Sequence, residues 1–252
     1  MEKSDLMRRK KFKKKKMQSP SITVIVLAYN EEQNLPRMLR ESVDWLKENI
    51  NEWALIVVDD GSSDGTRAVA DEWAAKEEHV RVLAHETNQG MGAGMKTGIQ
   101  ATRTEYFTII AGDGQHPTPE LAVMVPGLQE ADIVTTYHRN QREIHRRTLS
   151  WGFRKAMAWA CGIDFVLEGI YLFPTRVAVD DIGLDRIPGN TFFFSFELIA
   201  RALRQGQSIT VRPMLVRRRE HGQSKVASAS RIRRIYREIM DFRRRLAREE
   251  AS

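Results

Sequence analysis

Short apolar runs, each closed by polar residues and followed by a helix-like stretch, recur through roughly the first half of the chain and restrict it to an α/β architecture. Ile22 to Leu27 is rich in β-branched residues and reads as a strand buried on both faces. It runs into Ala28, Tyr29 and Asn30, and then into a helical pattern through Leu35, Leu39, Val43 and Leu46. Ala54 to Val58 reads as a second strand ending in Asp59, Asp60, Gly61, Ser62 and Ser63, with Asp64 placed to cap a helix through Val69, Trp73 and Lys76. Val80 to Ala84 is a third strand, leading to the Gly-rich Gly90 to Gly98 segment and a short helix. Tyr106 to Ile110 is a fourth, ending at Gly112, Asp113 and Gly114, and Ile133 to Thr136 is a fifth, with Tyr137, His138 and Arg139 just beyond. This alternation predicts a mostly parallel central sheet with helices on both faces.

The polar residues follow the strands rather than precede them. Asn30, Asp60, Asp113 and His138 are therefore expected at the carboxyl edge of the sheet, where open α/β folds bind ligands. Several carboxylates at such an edge point to an enzyme or nucleotide site, and with a phosphate ligand they call for a divalent cation. Two nucleotide motifs are excluded. The segment Gly90-Met91-Gly92-Ala93-Gly94-Met95 lacks the third glycine of a dinucleotide fingerprint, and no glycine precedes Lys96 and Thr97 as a P-loop requires. Its glycines serve either a tight turn and close helix packing or direct ligand contact.

At 252 residues the chain suits one well-buried domain with tails. A lone cysteine, Cys161, excludes an internal disulfide and any multi-cysteine metal site, and fits a reducing, cytoplasmic setting. The apolar run from Ile22 to Tyr29 is far below the roughly 20 residues a membrane-spanning helix needs, and no signal-peptide core precedes it. Charge divides sharply. Residues 1–17 carry nine Lys/Arg against two acids and residues 217–252 twelve against five, whereas the stretch between is acidic, nineteen against twenty-six. An anionic partner is thus met by the ends, and the body is not a nucleic-acid platform. The expected organisation is a basic disordered tail over 1–19, the α/β domain over 20–228, and a basic amphipathic helix over 229–252. In that helix Ile232, Ile235, Tyr236, Ile239, Phe242 and Leu246 form an apolar stripe flanked by arginines, which either packs on the domain or lies among lipid headgroups.

The strings VIVLAYNEEQNL, IVVDDGSSDGT, NQGMGAGMKTGI and GDGQHPTPEL, in this order, resemble the family 2 glycosyltransferases of the GT-A fold. DFVLEGIYLF, FFFSFELIARAL and RREHGQSK look like its dolichyl or polyprenyl phosphate sugar synthase branch, so the resemblance spans roughly residues 20–228. It implies inverting transfer of a sugar from a nucleotide diphosphate sugar, GDP-mannose first and UDP-sugars second, to a lipid phosphate. Mg²⁺ or Mn²⁺ would sit on the diphosphate, and the enzyme would sit peripherally on the cytoplasmic face of a membrane. A soluble glycan or natural-product acceptor, or a non-catalytic sugar-nucleotide or membrane-binding role, are the alternatives.

By that resemblance Asp60, with its neighbour Asp59, reads the base, and Ala28, Tyr29, Asn30 and Glu31 form the nucleotide-side turn, where Asn30 could instead cap the following helix. Gly112, Asp113 and Gln115 match the metal motif, with Asp113 and Gln115 as ligands, but its usual first Asp is Ala111 here. One carboxylate is missing, so weaker metal affinity is expected. Arg219, Ser224 and Lys225 match an Arg-x-x-Gly-x-Ser-Lys clamp for phosphates. His138 stands where relatives often carry an Arg. Glu197 matches an acidic position near the acceptor, or else partners a local Arg. A lipid monophosphate has a second pKa near about 6, so an acceptor of this kind is already dianionic at neutral pH and needs no strong catalytic base.

Overall fold

The structure is a computed structural model that describes residues 20–139, 158–159, 163, 169–189, 191, 193–218 and 229–251. The expected tail over 1–19 and the clamp residues Arg219, Ser224 and Lys225 lie outside the described residues.

Chain order begins β1 (Ile22–Ala28), α1 (Leu35–Asn49), β2 (Trp53–Asp59), α2 (Thr66–Lys76), β3 (Val80–Ala84), α3 (Met91–Ala101) and β4 (Tyr106–Ala111). A short α4 (Leu121–Met124) lies between two 3₁₀ turns and leads to β5 (Ile133–His138). Then come β6 (Tyr171–Pro174), α5 (Phe194–Arg204), β7 (Ile209–Met214) and α6 (Ala229–Ala251). The strands form one seven-stranded sheet in the order β3-β2-β1-β4-β6-β5-β7. Pairs β1–β2, β1–β4, β2–β3 and β5–β7 are parallel, while β6 runs antiparallel to both β4 and β5. β6 and β7 are additions to the five strands the sequence predicts, and the fifth reaches His138 rather than ending at Thr136.

The β1 run is buried on both faces because two cores meet on it. Ile22, Val24, Val26 and Ala28 share one core with Leu35, Met38, Leu39, Val43 and Leu46 of α1, whereas Ile25 belongs to the other, with Ile99 of α3 and Phe194 and Leu198 of α5. Each such aliphatic side chain contributes about 1.5–3 kcal/mol when fully buried. On α3 the glycines serve close packing. A Cβ at Gly98 would stand 2.4 Å from Ile25 Cγ2, and one at Gly92 would stand 2.6 Å from the carbonyl oxygens of Gly189 and Thr191. The C-terminal stripe also resolves toward the domain, since Ile239, Phe242 and Leu246 of α6 are buried in the core on the α5 side.

Two capping expectations change. Helix α1 begins after Asn34, so Asn30 is four residues too early to cap it. Asp64 sits one residue outside the N-cap of α2, which is Gly65, yet its Oδ1 accepts from the Thr66 N–H at 3.0 Å and from the Thr66 hydroxyl at 2.5 Å. Burial opposes ionisation of Asp64, but these hydrogen bonds prevail and hold its carboxyl below the ordinary value.

Candidate active site

Register places the ends of three strands side by side: Ala28 of β1 pairs with Asp59 of β2, and Leu27 of β1 with Ala111 of β4. β1 connects toward β2 on one side and is bordered by β4 on the other, so this edge is the switch point at which open α/β sheets form their crevice. The turns leaving these strands carry Asn30, Asp60 and Asp113.

Asn30 adopts a positive φ of 56°, a conformation Asn tolerates better than most residues, and its Oδ1 accepts from the Ser63 N–H at 2.9 Å. Its own N–H donates to Ser62 Oγ at 3.0 Å, which ties the β1 turn to the β2 turn. Tyr29 is exposed beside it. Glu31 is buried; its N–H donates to Thr66 Oγ1 at 2.7 Å and its Oε2 accepts from Asn34 Nδ2 at 2.7 Å. Asp59 turns inward, and its Oδ1 accepts from the Ser62 N–H at 3.1 Å. After Asp60, Gly61 has a φ of 70°, and a Cβ there would stand 2.5 Å from the Thr87 carbonyl carbon, so the β2 turn and the loop before α3 touch through backbone.

Asp60 is the hub between those loops. Its Oδ1 accepts from the Gln89 N–H at 2.9 Å and from His85 Nδ1 at 2.7 Å, and its Oδ2 accepts from the Gly90 N–H at 2.9 Å. A carboxylate only accepts, so His85 carries its proton on Nδ1. Its Nε2 meets Thr97 Oγ1 of α3 at 2.9 Å. The sequence reading missed His85; it stands just past β3, at the same edge as the residues that were named.

Beyond β4, Asp113 Oδ1 accepts from the Gln115 N–H at 3.0 Å, and the Gln115 main-chain carbonyl accepts from the Arg217 N–H at 2.9 Å. The Gln115 side-chain amide oxygen is a hard donor of the kind a hard divalent cation takes. Among the described residues no group of three His, Cys, Asp or Glu side chains converges. One carboxylate and one amide oxygen fit an ion that keeps several waters and takes its other ligands from a diphosphate, as Mg²⁺ does. Arg37, in the first turn of α1, reaches the same loop: a Cβ on Gly114 would lie 3.4 Å from its Nη2. No sequence motif marks Arg37, because only the packing of α1 on the sheet brings it there.

His138 ends β5, and its Nε2 is 3.4 Å from Nε2 of His116, three residues after Asp113. Burial drives the His116 pKa down to about 4, the nearby His138 adds to this, and the Asp113 charge opposes it. Glu197 belongs to a different cluster. It is buried on α5, accepts from Arg201 Nε at 3.0 Å and pairs with Arg245 of α6. Burial raises its pKa against the pull of Arg245 and Arg201. Its geometry is that of a local arginine partner.

Comparison with known proteins supplies the remaining observations. Residues 23–202 match the family described as Glycosyl transferase family 2. An undecaprenyl-phosphate mannosyltransferase of Micrococcus luteus is 27% identical over 82% of this chain and 87% of its own length. A dolichyl-phosphate beta-glucosyltransferase of Trichomonas vaginalis is 29% identical over 60% of this chain, which spans about half (49%) of that relative. In fold, the chain resembles glucosyl-3-phosphoglycerate synthase of Mycobacterium tuberculosis, solved with Mn²⁺, UDP and phosphoglyceric acid. That likeness has a TM-score of 0.65 at 17% identity, covering 88% of this chain and 77% of the other.

Proposed function

Because the chain belongs to glycosyl transferase family 2, we propose that it moves a sugar, with inversion, from a nucleoside diphosphate sugar to a polyprenyl or dolichyl phosphate at the cytoplasmic face of a membrane. The observation that carries this reading is the alignment of the β1, β2 and β4 ends, which gathers Asn30, Asp60 and Asp113 around one crevice. Relatives that act on undecaprenyl and dolichyl phosphate support the acceptor class.

Asp60 has about four acceptor positions, of which three are taken by Gln89, Gly90 and His85, leaving one on Oδ2 for a ring N–H of the base. Holding the base there positions the diphosphate over the Asp113 loop, where Arg37 and the proposed clamp of Arg219, Ser224 and Lys225 offset its charge. A divalent ion on Asp113 and Gln115 would, when bound, stabilise the departing diphosphate. The acceptor phosphate arrives as a dianion, so the reaction needs no strong catalytic base.

Membrane attachment is read from the outer face of α6. Tyr236 and Met240 are exposed there, Arg233 and Arg237 flank them, and the Arg243 guanidinium lies 3.5 Å from the ring centroid of exposed Trp159. Aromatic and arginine side chains on one surface suit a headgroup layer, and the basic 1–17 segment adds attraction to anionic lipid. No helix among the described residues is long and apolar enough to cross a membrane.

The test is a panel of nucleotide sugars, GDP-mannose first and UDP-glucose second, offered with a short polyprenyl phosphate and Mg²⁺ or Mn²⁺. Formation of a lipid-linked sugar from one donor supports the reading. Ala111 favours one other reading, a non-catalytic sugar-nucleotide-binding relative. Donor binding without transfer or hydrolysis across the panel would select it.

A further inference from the structure

Beside the Asp113 loop, two imidazoles face each other through their Nε2 atoms at 3.4 Å, with ring centroids 5.5 Å apart and planes inclined by 40°. That separation has a chemical meaning beyond a hydrogen bond. With metal–nitrogen bonds of about 2.0–2.1 Å, two nitrogens 3.4 Å apart subtend about 110° at a shared ion, close to the tetrahedral angle. The two residues come from separate elements, the loop after β4 and the end of β5, and they meet three residues from the carboxylate of the metal motif.

We propose that His116 and His138 form a two-imidazole platform for a borderline divalent cation of the Co²⁺ or Zn²⁺ class, beside the Asp113 loop. Imidazole suits such ions, whereas hard Mg²⁺ prefers oxygen. Since no third His, Cys, Asp or Glu converges among the described residues, the remaining coordination positions fall to water and to donor phosphate. That the ion serves sugar transfer rests on the function proposed above; that the pair binds an ion does not.

The experiment titrates Co²⁺ into the full chain without any nucleotide sugar and follows the visible absorption bands of nitrogen-ligated cobalt. Bands are expected to appear, to be lost on adding Zn²⁺, and to survive a large excess of Mg²⁺. His138→Arg, at a partly exposed position, is expected to abolish them while circular dichroism stays native; His116→Gln is expected to do the same, and if it unfolds, His138→Arg decides alone. Absence of bands in the wild-type chain, or bands unchanged in His138→Arg, would reduce the pair to an ordinary imidazole hydrogen bond and overturn the proposal. Bands in a protein that transfers no sugar would leave the platform standing and count against the transferase reading instead.

Discussion

Glu249, in the last turn of α6, accepts two hydrogen bonds from the buried guanidinium of Arg201 on α5, at 2.8 Å from Nη1 and 2.9 Å from Nη2. A carboxylate at a helix C-terminus meets the negative end of the helix dipole, so this contact must outweigh that repulsion to hold α6 in place. Arg201 in turn supports Glu197, so one side chain joins the helix carrying the proposed lipid-facing surface to the core of the domain.

The Arg201 bonds, the first cause, hold the Glu249 carboxyl below its ordinary value of 4.5. The folded pKa is depressed, so this stabilisation is present above about pH 4.5 and is lost as pH falls through the lowered folded value. Hydrogen exchange should show α6 amides losing protection below pH 4.5 before those of β1, and Glu249→Gln should reproduce that loss at pH 7. Equal protection of α6 in the variant would mean that apolar packing by Phe242 and Leu246, with the Arg245–Glu197 pair, suffices.

Asp60→Ala is expected to weaken donor binding more than it slows turnover at saturating donor, because base contacts are made alike in ground and transition states. It should also lower stability by about 1–3 kcal/mol, since the Gln89 and Gly90 N–H groups lose their acceptor. Calorimetric donor affinity and a thermal melt measure the two effects. A rate defect with unchanged affinity contradicts the base-reading role.

Asp113→Asn should abolish transfer with the melt unchanged, as it removes the only carboxylate left in the metal motif. Near-normal turnover with the same Mg²⁺ and Mn²⁺ dependence would mean that the ion sits elsewhere.

The phosphate clamp and the membrane-facing residues should fail in different assays. Replacing Arg219 and Lys225 by Ala is expected to cripple transfer even to a short, detergent-dispersed lipid phosphate. Deleting residues 1–17, or changing Trp159 and Met240 to Ser, should spare that reaction and lower flotation with anionic vesicles. The contribution of the deleted tail should fade as salt shortens the Debye length from about 10 Å at 0.1 M to about 3 Å at 1 M. A tail deletion that destroys activity in detergent would end the tether idea.

The carboxyl-edge gathering of Asn30, Asp60 and Asp113 was legible because strand identity fixes where a following turn emerges, whatever the details of packing. The direction of each side chain was not. Asp60 spends most of its acceptors on Gln89, Gly90 and His85, contacts that depend on how the loop before α3 folds back over β2. β6 went unseen because Tyr171 to Pro174 is too short for its period to show, and β7 because the half-buried Ile209 to Met214 includes Arg212 and Pro213. The helical stripe of α6 announced an apolar face but not its occupant, which proved to be the domain for Ile239, Phe242 and Leu246.

The sheet has a seam. Backbone pairing between its β3-β2-β1-β4 part and its β5-β7 part passes through β6, by Tyr106 with Pro174 and Phe107 with Phe173 on one side, and by Val134 with Leu172 and Thr135 with Tyr171 on the other. Asp60 and Asp113 belong to the first part and His138 to the second, while the cores on both faces cross the seam, Ile25 with Ile133 in one and Ile110 with Val134 in the other. A hybrid that grafts the β5–β7 part of a relative onto this chain therefore has two packed faces to match as well as a short hydrogen-bonded joint.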